Sequence, residues 1–394
     1  MDIGIVMPVY YQKEEHIRLA IRSILNQTYK DFILYIVIDG AMELLPIVSE
    51  EVKDDRRVQI IAYKENKGVA HALNTGFAEI YKNPAIKYTT WVSNDNFYYP
   101  FFLRVLHDGI VHSPDNVGIV YTSFNQILDN GDPAHDKEYL IGLHKWQGGS
   151  KDQMFEGCII GPAFIHRVEY CKNIAPYRFT LIQDYDYWLR MMDHCDIKYI
   201  PIETMDYRLN SPFSLSTNIQ SNPTYHRVCW NEVHLSQWET RMRRGIRPEL
   251  TIAYYLYDTE EETLKSYGWL LDQYWTNYKL YVISCSSHNN LGKVNEIYFD
   301  KRVTFIDGGS NPSGELTKVI QNLDTPYFMF CDSSVTFANQ SKLKPLIQML
   351  KENPGCVQVQ YGRDHAVRSF ATEVPVLQPY TIFRSELIRK RFPA

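Results

Sequence analysis

The chain has 394 residues, a length that usually corresponds to two domains or three small ones. Hydrophobic residues make up 45% of it and charged residues 22%, which excludes a disordered, collagen-like or coiled-coil chain. A net charge of −5 gives no electrostatic basis for a dedicated nucleic-acid-binding protein, and no apolar run approaches the roughly 18–20 residues of a membrane span.

The first 120 residues alternate between predicted strands and helices. Buried apolar runs predict five strands, at Asp2–Val9, Phe32–Ile38, Val58–Tyr63, Tyr88–Val92 and Val117–Thr122. Helical apolar periodicity predicts three helices, at Glu14–Gln27, Gly68–Ile80 and Phe101–Val111. This alternation indicates a mostly parallel sheet covered on both faces, which binds ligands at the carboxyl ends of its strands. The polar residues at those ends are Tyr10, Tyr11, Asp39, Asn94 and Asp95.

The middle of the chain is less regular. Residues 123–180 are interpreted as loop and strand that shape one side of a cleft. The sequence then predicts, in order, a helix at Asp184–Met192, a strand at Ile197–Ile202, a flexible loop at Ser211–Asn222 and a helix at Thr224–Met242. The run from Arg243 to Pro248 is the best candidate for a domain boundary.

After this boundary the order of elements repeats. Strands are predicted at Leu250–Tyr257, Lys279–Ser284, Val303–Ile306, Pro326–Cys331 and Val357–Tyr361, and helices at Glu260–Tyr274, Gly314–Leu323 and Lys342–Lys351. Local echoes such as PYFMFCDSS against KYTTWVSNDN support an internal repeat.

The seven cysteines are odd in number, scattered and never in Cys-x-x-Cys spacing. They are interpreted as reduced thiols of a cytoplasmic protein, without a zinc site. The N-terminus also lacks the basic start and cleavage site of a signal peptide. The 29 tyrosines suit clefts that stack sugar rings, although a compositional bias of the genome explains them equally well.

Four motifs occur in a fixed order: PVY with AIRSILNQTYKDFILYIVIDG, then ENKGVAHALNTG, SNDNFYYP and QDYDYWLRM. Over about residues 1–215 they resemble family-2 glycosyltransferases of the GT-A fold, and the small spore-coat polysaccharide enzymes in particular. The resemblance implies an α/β fold with a mostly parallel mixed sheet and helices on both faces. With the repeat, it predicts a glycosyltransferase domain at 1–245 and an incomplete second copy at 250–394.

Asp39 stands where family members bind the uracil ring of the donor, and a carboxylate there can accept a hydrogen bond from a base N–H. By itself, Asp39 followed by glycine also fits a simple turn. Pro8 belongs to the same nucleotide-binding opening. Either Tyr10 or Tyr11 is expected to stack on the base, because the chain has one extra residue at this point.

Asn94 and Asp95 occupy the position of the family's acidic metal motif, and Asp95 stands where the metal is usually bound directly. A divalent cation, Mn²⁺ or Mg²⁺, would neutralise the diphosphate as the sugar leaves. Asn94 replaces the first acid of the motif. The alternative is an Asx-rich turn after a strand.

Asp184 is the predicted general base, since the family pattern places there the Asp that takes the acceptor proton. Gln183 replaces the usual Glu. Asp184 could equally cap the helix above Trp188, and both roles can coexist. Asp186 is the weaker candidate and is expected to orient a neighbour.

Three basic features carry less weight. Arg208 stands where the family has a loop that folds over the diphosphate, so it is a candidate phosphate ligand, with a structural ion pair as the alternative. The basic residues Arg241, Arg243, Arg244 and Arg247 could touch anionic lipid or phosphate, but a solvated helix end is the simpler interpretation. His107 and His112 are five residues apart and are assigned no metal.

The second copy has lost much of this chemistry. The counterpart of Asp39 is missing from VISCSSHNN, and the metal motif reads Cys331-Asp332-Ser333-Ser334 with one acid. Gln378–Arg384 matches Gly161–Arg167. As it stands, 250–394 is therefore not expected to transfer sugar.

The first copy has 22 residues from Pro162 to Asp184, and the same count from Pro379 passes Ala394. We therefore expect the native chain to continue, with a second base Asp within about ten residues beyond Ala394.

The sequence thus predicts an inverting, metal-dependent transferase that moves a sugar from a UDP- or dTDP-sugar to a glycan or lipid-linked acceptor. It would be cytoplasmic, with possible peripheral association with the inner face of the membrane. Nucleotidyl transfer would need a glycine-rich phosphate loop after the first strand. The segment at the end of this strand, PVYYQKEE, contains no glycine and therefore does not fit such a loop. A catalytically inactive carbohydrate-binding assembly module is the other alternative; Asp39, Asp95 and Asp184 argue against it for the first copy but not for the second.

Overall fold

The computed structural model describes residues 1–333, 340–361, 366–369, 377 and 381–392. The chain divides into two compact units, Met1–Glu232 and Val233–Ala394. Within the described ranges, no helix combines the length and apolar character that a membrane crossing requires.

The first unit is built on an eight-stranded sheet with the order β3-β2-β1-β4-β7-β6-β8-β5. Its strands are β1 Ile3–Val9, β2 Phe32–Asp39, β3 Val58–Tyr63, β4 Tyr88–Trp91, β5 Phe97–Tyr98, β6 Val117–Ile127, β7 Phe164–Arg167 and β8 Asp196–Arg208. Strands β1 to β4 are parallel, whereas β7 runs antiparallel to both of its neighbours. The central strand β1, IGIVMPV, is buried along nearly its whole length because both faces of the sheet are covered.

The helices of this unit are α1 Glu14–Leu25, α2 Leu45–Glu51, α3 Val69–Ile80, α4 Phe102–Val111, α5 Lys137–Gln147, α6 Val168–Cys171, α7 Gln183–Met191 and α8 Leu215–Ser221. Helix α9, Pro223–Arg243, contains the division between the units. The apolar stripe predicted on α1, with Ile17, Ile21 and Ile24, is buried in the core.

Helices α5 and α8 are among those that the sequence analysis did not predict. Helix α8 lies inside the predicted loop Ser211–Asn222, and α5 lies inside the segment expected to be irregular. Helix α8 has no buried residue. In helix α5 the residue that is buried is a polar one, Gln147. Without a buried apolar face there is no helical periodicity for sequence analysis to detect. The last strand, β8, also extends beyond the predicted Ile197–Ile202.

The second unit has a seven-stranded sheet with the order β11-β10-β9-β12-β15-β13-β14. Its elements are β9 Leu250–Leu256, α10 Glu261–Leu271, β10 Tyr278–Ser284, α11 Leu291–Ile297, β11 Val303–Asp307, α12 Pro312–Gln321, β12 Tyr327–Asp332, α13 Leu343–Glu352, β13 Gln358–Tyr361, β14 Ala366–Ser369, β15 Thr381–Arg384 and α14 Ser385–Arg391. Six strands in a row match β3-β2-β1-β4-β7-β6 of the first unit. The expected α/β fold class is confirmed, and the repeated order fits two tandem copies.

An arginine clamp recurs in both sheets. Arg57 pairs with Asp55, donates to the last carbonyl of α1 and lies over the ring of the first residue of β2. Arg302 pairs with Asp300, donates to the last carbonyl of α10 and lies over the first ring of β10. Such a shared set of contacts supports a repeat more strongly than the few sequence identities do.

A second clamp recurs where the antiparallel strand meets the sheet. Arg167 lies over Tyr88 and donates to carbonyls at the end of α4, and Arg384 lies over Tyr327 and donates to carbonyls at the end of α13. The two copies therefore share the polar contacts that hold the sheet to its helices, while their strand-end residues differ.

Candidate functional site

The carboxyl ends of three neighbouring parallel strands, β2, β1 and β4, form one edge of the first sheet. Val9 is in register with Ile38, and Val6 with Trp91, so the segments that follow these strands meet at this edge. Asn94 donates from Nδ2 to the carbonyl of Tyr10 at 3.3 Å. Residues predicted from separate motifs are thus neighbours, as expected for a parallel sheet.

Asp39 is buried at the end of β2, and its Oδ1 accepts a hydrogen bond from the backbone N–H of Lys67 at 2.7 Å. The ENKG motif therefore folds against this carboxylate. Gly40 has φ +83°, and a Cβ there would lie 2.5 Å from the backbone nitrogen of Asn66. Only glycine allows this close approach. Burial, with the charge of Asp39 adding to it, raises the pKa of the neighbouring Tyr63.

The two tyrosines after β1 are exposed. Tyr10 and Tyr11 are 43% and 46% accessible, and their rings meet edge to face at 4.6 Å between centroids. A hydrogen bond to Glu43 raises the pKa of Tyr11. Pro8 lies within β1 beside Val37. Both rings are exposed, so either one is available as a stacking partner.

Asp95 is a buried carboxylate that is hydrogen-bonded on both oxygens. Ser93 donates its hydroxyl to Oδ1 at 2.6 Å, and Gln12 donates from Nε2 to Oδ2 at 3.3 Å. Burial raises the pKa of Asp95, while Ser93, Arg208 and His16 partly offset this effect. Among the residues that the structure describes, the hydrogen-bond partners of the two Asp95 oxygens are the neutral side chains of Ser93 and Gln12.

Gln12 joins three parts of the chain and was missed by sequence analysis. Its Nε2 also donates to the hydroxyl of Ser211 at 3.1 Å, and its Oε1 lies 3.3 Å from Nδ1 of His16. Gln12 thereby links the end of β1, Asp95 and the segment after β8. A single glutamine before the charged run Lys13-Glu14-Glu15 carries no sequence signal for this role.

Arg208 is buried and faces the backbone. Its Nε donates to the carbonyl of Asp95 at 3.0 Å, and its Nη1 donates to the carbonyls of Asp129 at 2.7 Å and Leu128 at 3.2 Å. Its backbone N–H donates to Oδ1 of Asn96 at 2.9 Å. In this structure the side chain holds the strand-end segments together.

Asp184 lies in the first turn of α7 and is half-buried. Its Oδ1 accepts from the backbone N–H of Tyr185 at 2.7 Å, yet burial raises the pKa of the carboxyl to about 6. Asp186 is fully buried between Arg178 at 2.7 Å and Arg190 at 2.9 Å. The first acid is thus poised to exchange a proton, and the second is held in ion pairs.

One side chain relates the two predicted acids of the site. Tyr207, near the end of β8, lies within electrostatic reach of both Asp95 and Asp184. Asp39 and Asp95 therefore lie at the strand ends of the sheet, and Asp184 lies in α7 within electrostatic reach of the same tyrosine as Asp95. No group of three or more His, Cys, Asp or Glu side chains arranged to hold a metal occurs among the described residues.

The second sheet differs at the equivalent edge. Ile3 pairs with Phe32 and Tyr88, and Leu250 pairs with Tyr278 and Tyr327. Counting from these pairs, Cys285 takes the place of Asp39, and Asp332 takes the place of Ser93 rather than of Asp95. The counterpart of Asp95, Ser334, lies outside the described residues, as do 378–380 of the segment matched to Gly161–Arg167.

The predicted basic run near the domain boundary is not uniformly solvated. Arg241 is buried and donates from Nη2 to the hydroxyl of Thr276 at 2.8 Å. It therefore packs within the second unit and does not contribute to an exposed basic patch.

Residues 4–167 match the model of the family described as glycosyl transferase family 2. An uncharacterised glycosyltransferase of Rickettsia bellii is 27% identical over 220 residues, which cover 53% of this chain and 30% of that protein. One of Methanocaldococcus jannaschii is 25% identical over 229 residues, covering 57% of this chain and 76% of that protein. The chain spans roughly 30% of the length of the first Rickettsia relatives that it matches.

Among solved structures, residues 1–349 of S. aureus TarS in complex with UDP-GlcNAc share 12% identity with this chain. The likeness covers 60% of this chain and 66% of that one, with a TM-score of 0.46, which is a weak similarity.

Proposed function

We propose that the family-2 glycosyltransferase domain of this chain, matched at residues 4–167, transfers a sugar from a UDP- or dTDP-sugar to an acceptor hydroxyl with inversion. The observation that carries the proposal is the placement of two of the predicted acids, Asp39 and Asp95, at one sheet edge. Asp39 ends β2 and Asp95 follows β4, the two strands on either side of β1, and Tyr207 lies within electrostatic reach of both Asp95 and Asp184.

The donor base would lie at the end of β2, where Asp39 accepts a base N–H beside the backbone of Lys67. Tyr10 or Tyr11 would stack on the base, with Pro8 and Asn94 lining the same nucleotide site. Arg208, also assigned to this site by the family resemblance, would act on the diphosphate only indirectly, by holding the backbone of Asp95 in place.

Asp95 would hold Mn²⁺ or Mg²⁺ together with the donor diphosphate. Such ions are commonly bound by one or two carboxylates plus substrate phosphates, so a site with one protein carboxylate fits. The raised pKa of Asp95 supports this role, because a bound dication would compensate its buried charge. When bound, the ion would stabilise the negative charge of the departing nucleotide.

Asp184 would act as general base. With a pKa near 6 its carboxylate is ionised at neutral pH and still basic enough to accept a proton. The acceptor hydroxyl would give its proton to Asp184 as its oxygen bonds to the anomeric carbon, and the bond from that carbon to the diphosphate would break. A single base opposite the leaving nucleotide supports an inverting reaction.

The wider setting belongs to the same proposal. The acceptor would be a glycan or its lipid-linked precursor, and the domains would span 1–245 and 250–394. A cytoplasmic location, possibly with peripheral association with the inner face of the membrane, is supported by the seven free thiols. In the second unit, Cys285 stands in place of Asp39, so the acid proposed to bind the donor base is missing. This difference supports the proposal that the second copy has no transferase activity.

Calorimetry with UDP, dTDP and GDP, in Mn²⁺ and in EDTA, tests the proposal. UDP or dTDP should bind to the wild type in Mn²⁺. This binding should be lost in EDTA, and it should also be lost in the variant Asp95→Asn. The matched control Asp332→Asn changes an acid at the equivalent edge of the second sheet and should leave binding intact. Nucleotide binding that is unchanged by EDTA would contradict the metal role. Binding without any transfer would instead favour the inactive sugar-binding module.

A further inference from the structure

Trp146 stands near the end of α5 as a half-buried indole with its polar group already used. Its Nε1 donates to the carbonyl of Cys158 at 3.2 Å. This hydrogen bond fixes the orientation of the ring. The rest of the indole is apolar and needs no further hydrogen-bond partner.

Two glycines near this ring add no side chain that could cover it. Gly142 lies one turn earlier on α5, and a Cβ there would have no atom within 4 Å. Helical side chains lean over the preceding turn, so the indole of Trp146 leans towards the turn that contains Gly142, where no side chain fills the space next to the backbone. On the other side, a Cβ at Gly157 would lie 3.3 Å from Cζ2 of the ring. A side chain at Gly157 would press against the ring and cover part of it.

The segment that anchors the indole also borders the proposed base. The thiol of Cys158 lies within electrostatic reach of the Asp184 carboxylate, which helps raise the thiol pKa. Met154, four residues earlier, accepts a hydrogen bond from the hydroxyl of Tyr185. The short segment 154–158 thus runs along the start of α7 and connects Trp146 with Asp184.

We propose that Trp146 is the acceptor platform of this transferase and that the acceptor terminates in a pyranose sugar. This inference rests on the proposed function. A pyranose has an apolar C–H face, which suits a fixed indole, and hydroxyls at its edge, one of which would face Asp184. A plain alkyl or peptide hydroxyl has no such face to stack.

In the transfer step, the acceptor O–H bond breaks and its proton goes to Asp184. The acceptor oxygen forms the new bond to the anomeric carbon of the donor, and the nucleoside diphosphate leaves with the bonding electrons. Trp146 takes no part in these bond changes and acts on acceptor binding alone.

The test uses the full chain and two readouts. Release of nucleoside diphosphate from the donor in Mn²⁺ without acceptor measures the donor site. Transfer to a panel of methyl pyranosides, compared with glycerol, measures the acceptor site. The variants are Trp146→Ala and Trp146→Phe, with Tyr139→Ala as the control, because Tyr139 is an exposed aromatic residue of the same helix.

We expect Trp146→Ala to raise the KM for the best methyl pyranoside by about ten-fold, with donor hydrolysis unchanged. Trp146→Phe should retain part of the affinity, and Tyr139→Ala all of it. An unchanged pyranoside KM in Trp146→Ala would overturn the inference, as would equal use of glycerol and pyranosides by the wild type.

A donor-independent measurement separates the two proposals. Methyl pyranosides should change the tryptophan fluorescence of the wild type but not of Trp146→Phe. If the wild type cleaves no donor, the proposed function fails, and this fluorescence difference still decides the platform. No difference with any pyranoside would overturn the platform, even in a protein that hydrolyses a nucleotide sugar.

Discussion

Replacing Asp184 by Asn should make the protein more stable and nearly inactive at the same time. Burial raises the pKa of Asp184 from 3.8 to about 6, so the ionised form is disfavoured in the folded chain. About 1.36 kcal/mol per pKa unit gives a cost of at most about 3 kcal/mol above pH 7. Because the residue is half-buried, the measured cost should lie below this limit.

The sign of the pH dependence follows from the raised pKa. The folded state binds the Asp184 proton more tightly than the unfolded chain does. The contribution to stability is fully present below about pH 4 and is lost as the pH rises through about 6. Asn has no proton to lose, so the advantage of Asp184→Asn should appear at pH 8 and shrink towards pH 4.

Urea unfolding at pH 8 and pH 4 measures this difference, and transfer assays measure the second effect. Transfer should fall by about 10²–10⁴-fold while donor affinity survives, since Asn keeps the shape but accepts no proton. The acid limb of kcat/KM in the wild type should show an apparent pKa near 6. All transfer by the chain should be lost, because the second copy is proposed to be inactive.

The control is Asp196→Asn. An ion pair with Lys151 lowers the pKa of Asp196, so its replacement should not stabilise the protein. If Asp184→Asn were less stable than the wild type at pH 8, or if binding and rate fell equally, Asp184 would be a structural cap and our reasoning would be refuted.

Three further outcomes are expected. Asp39→Ala should weaken UDP binding about ten-fold or more in calorimetry, because the base loses an acceptor and the Lys67 N–H loses its partner; equal affinity would exclude Asp39 from the nucleotide site. Gln12→Ala should raise the donor KM about ten-fold with a smaller change in kcat, whereas Ser211→Ala, which leaves the contact of Gln12 with Asp95 in place, should have the smaller effect. Burial lowers the pKa of His234 from 6.5 to about 4, so stability present above about pH 6.5 should be lost as the pH falls towards 4; urea titrations in which His234→Gln retains the same pH slope would contradict this.

The motifs that contain Asp39 and Asp95 could be read from the sequence because both acids lie at or close to a strand end. Asp39 and Asp95 end up at one edge since parallel strands bring their carboxyl ends together, which is a consequence of topology. The contacts of Arg208, in contrast, could not be predicted from the motif in which it occurs. Its guanidinium donates to three backbone carbonyls, a pattern that only the folded chain reveals.

The sequence by itself determined the alternation of strands and helices, the internal repeat and the acids of the first copy, because these are local patterns of burial and charge. Tertiary structure alone decided the partners of those acids. Gln12 reaches Asp95 across 83 positions and Ser211 across 199, and Trp146 reaches Cys158 from a helix without a buried apolar face. Such contacts form because distant segments of the chain pack against each other and exclude water between them. Local hydrophobic periodicity in the sequence does not show which segments will pack together.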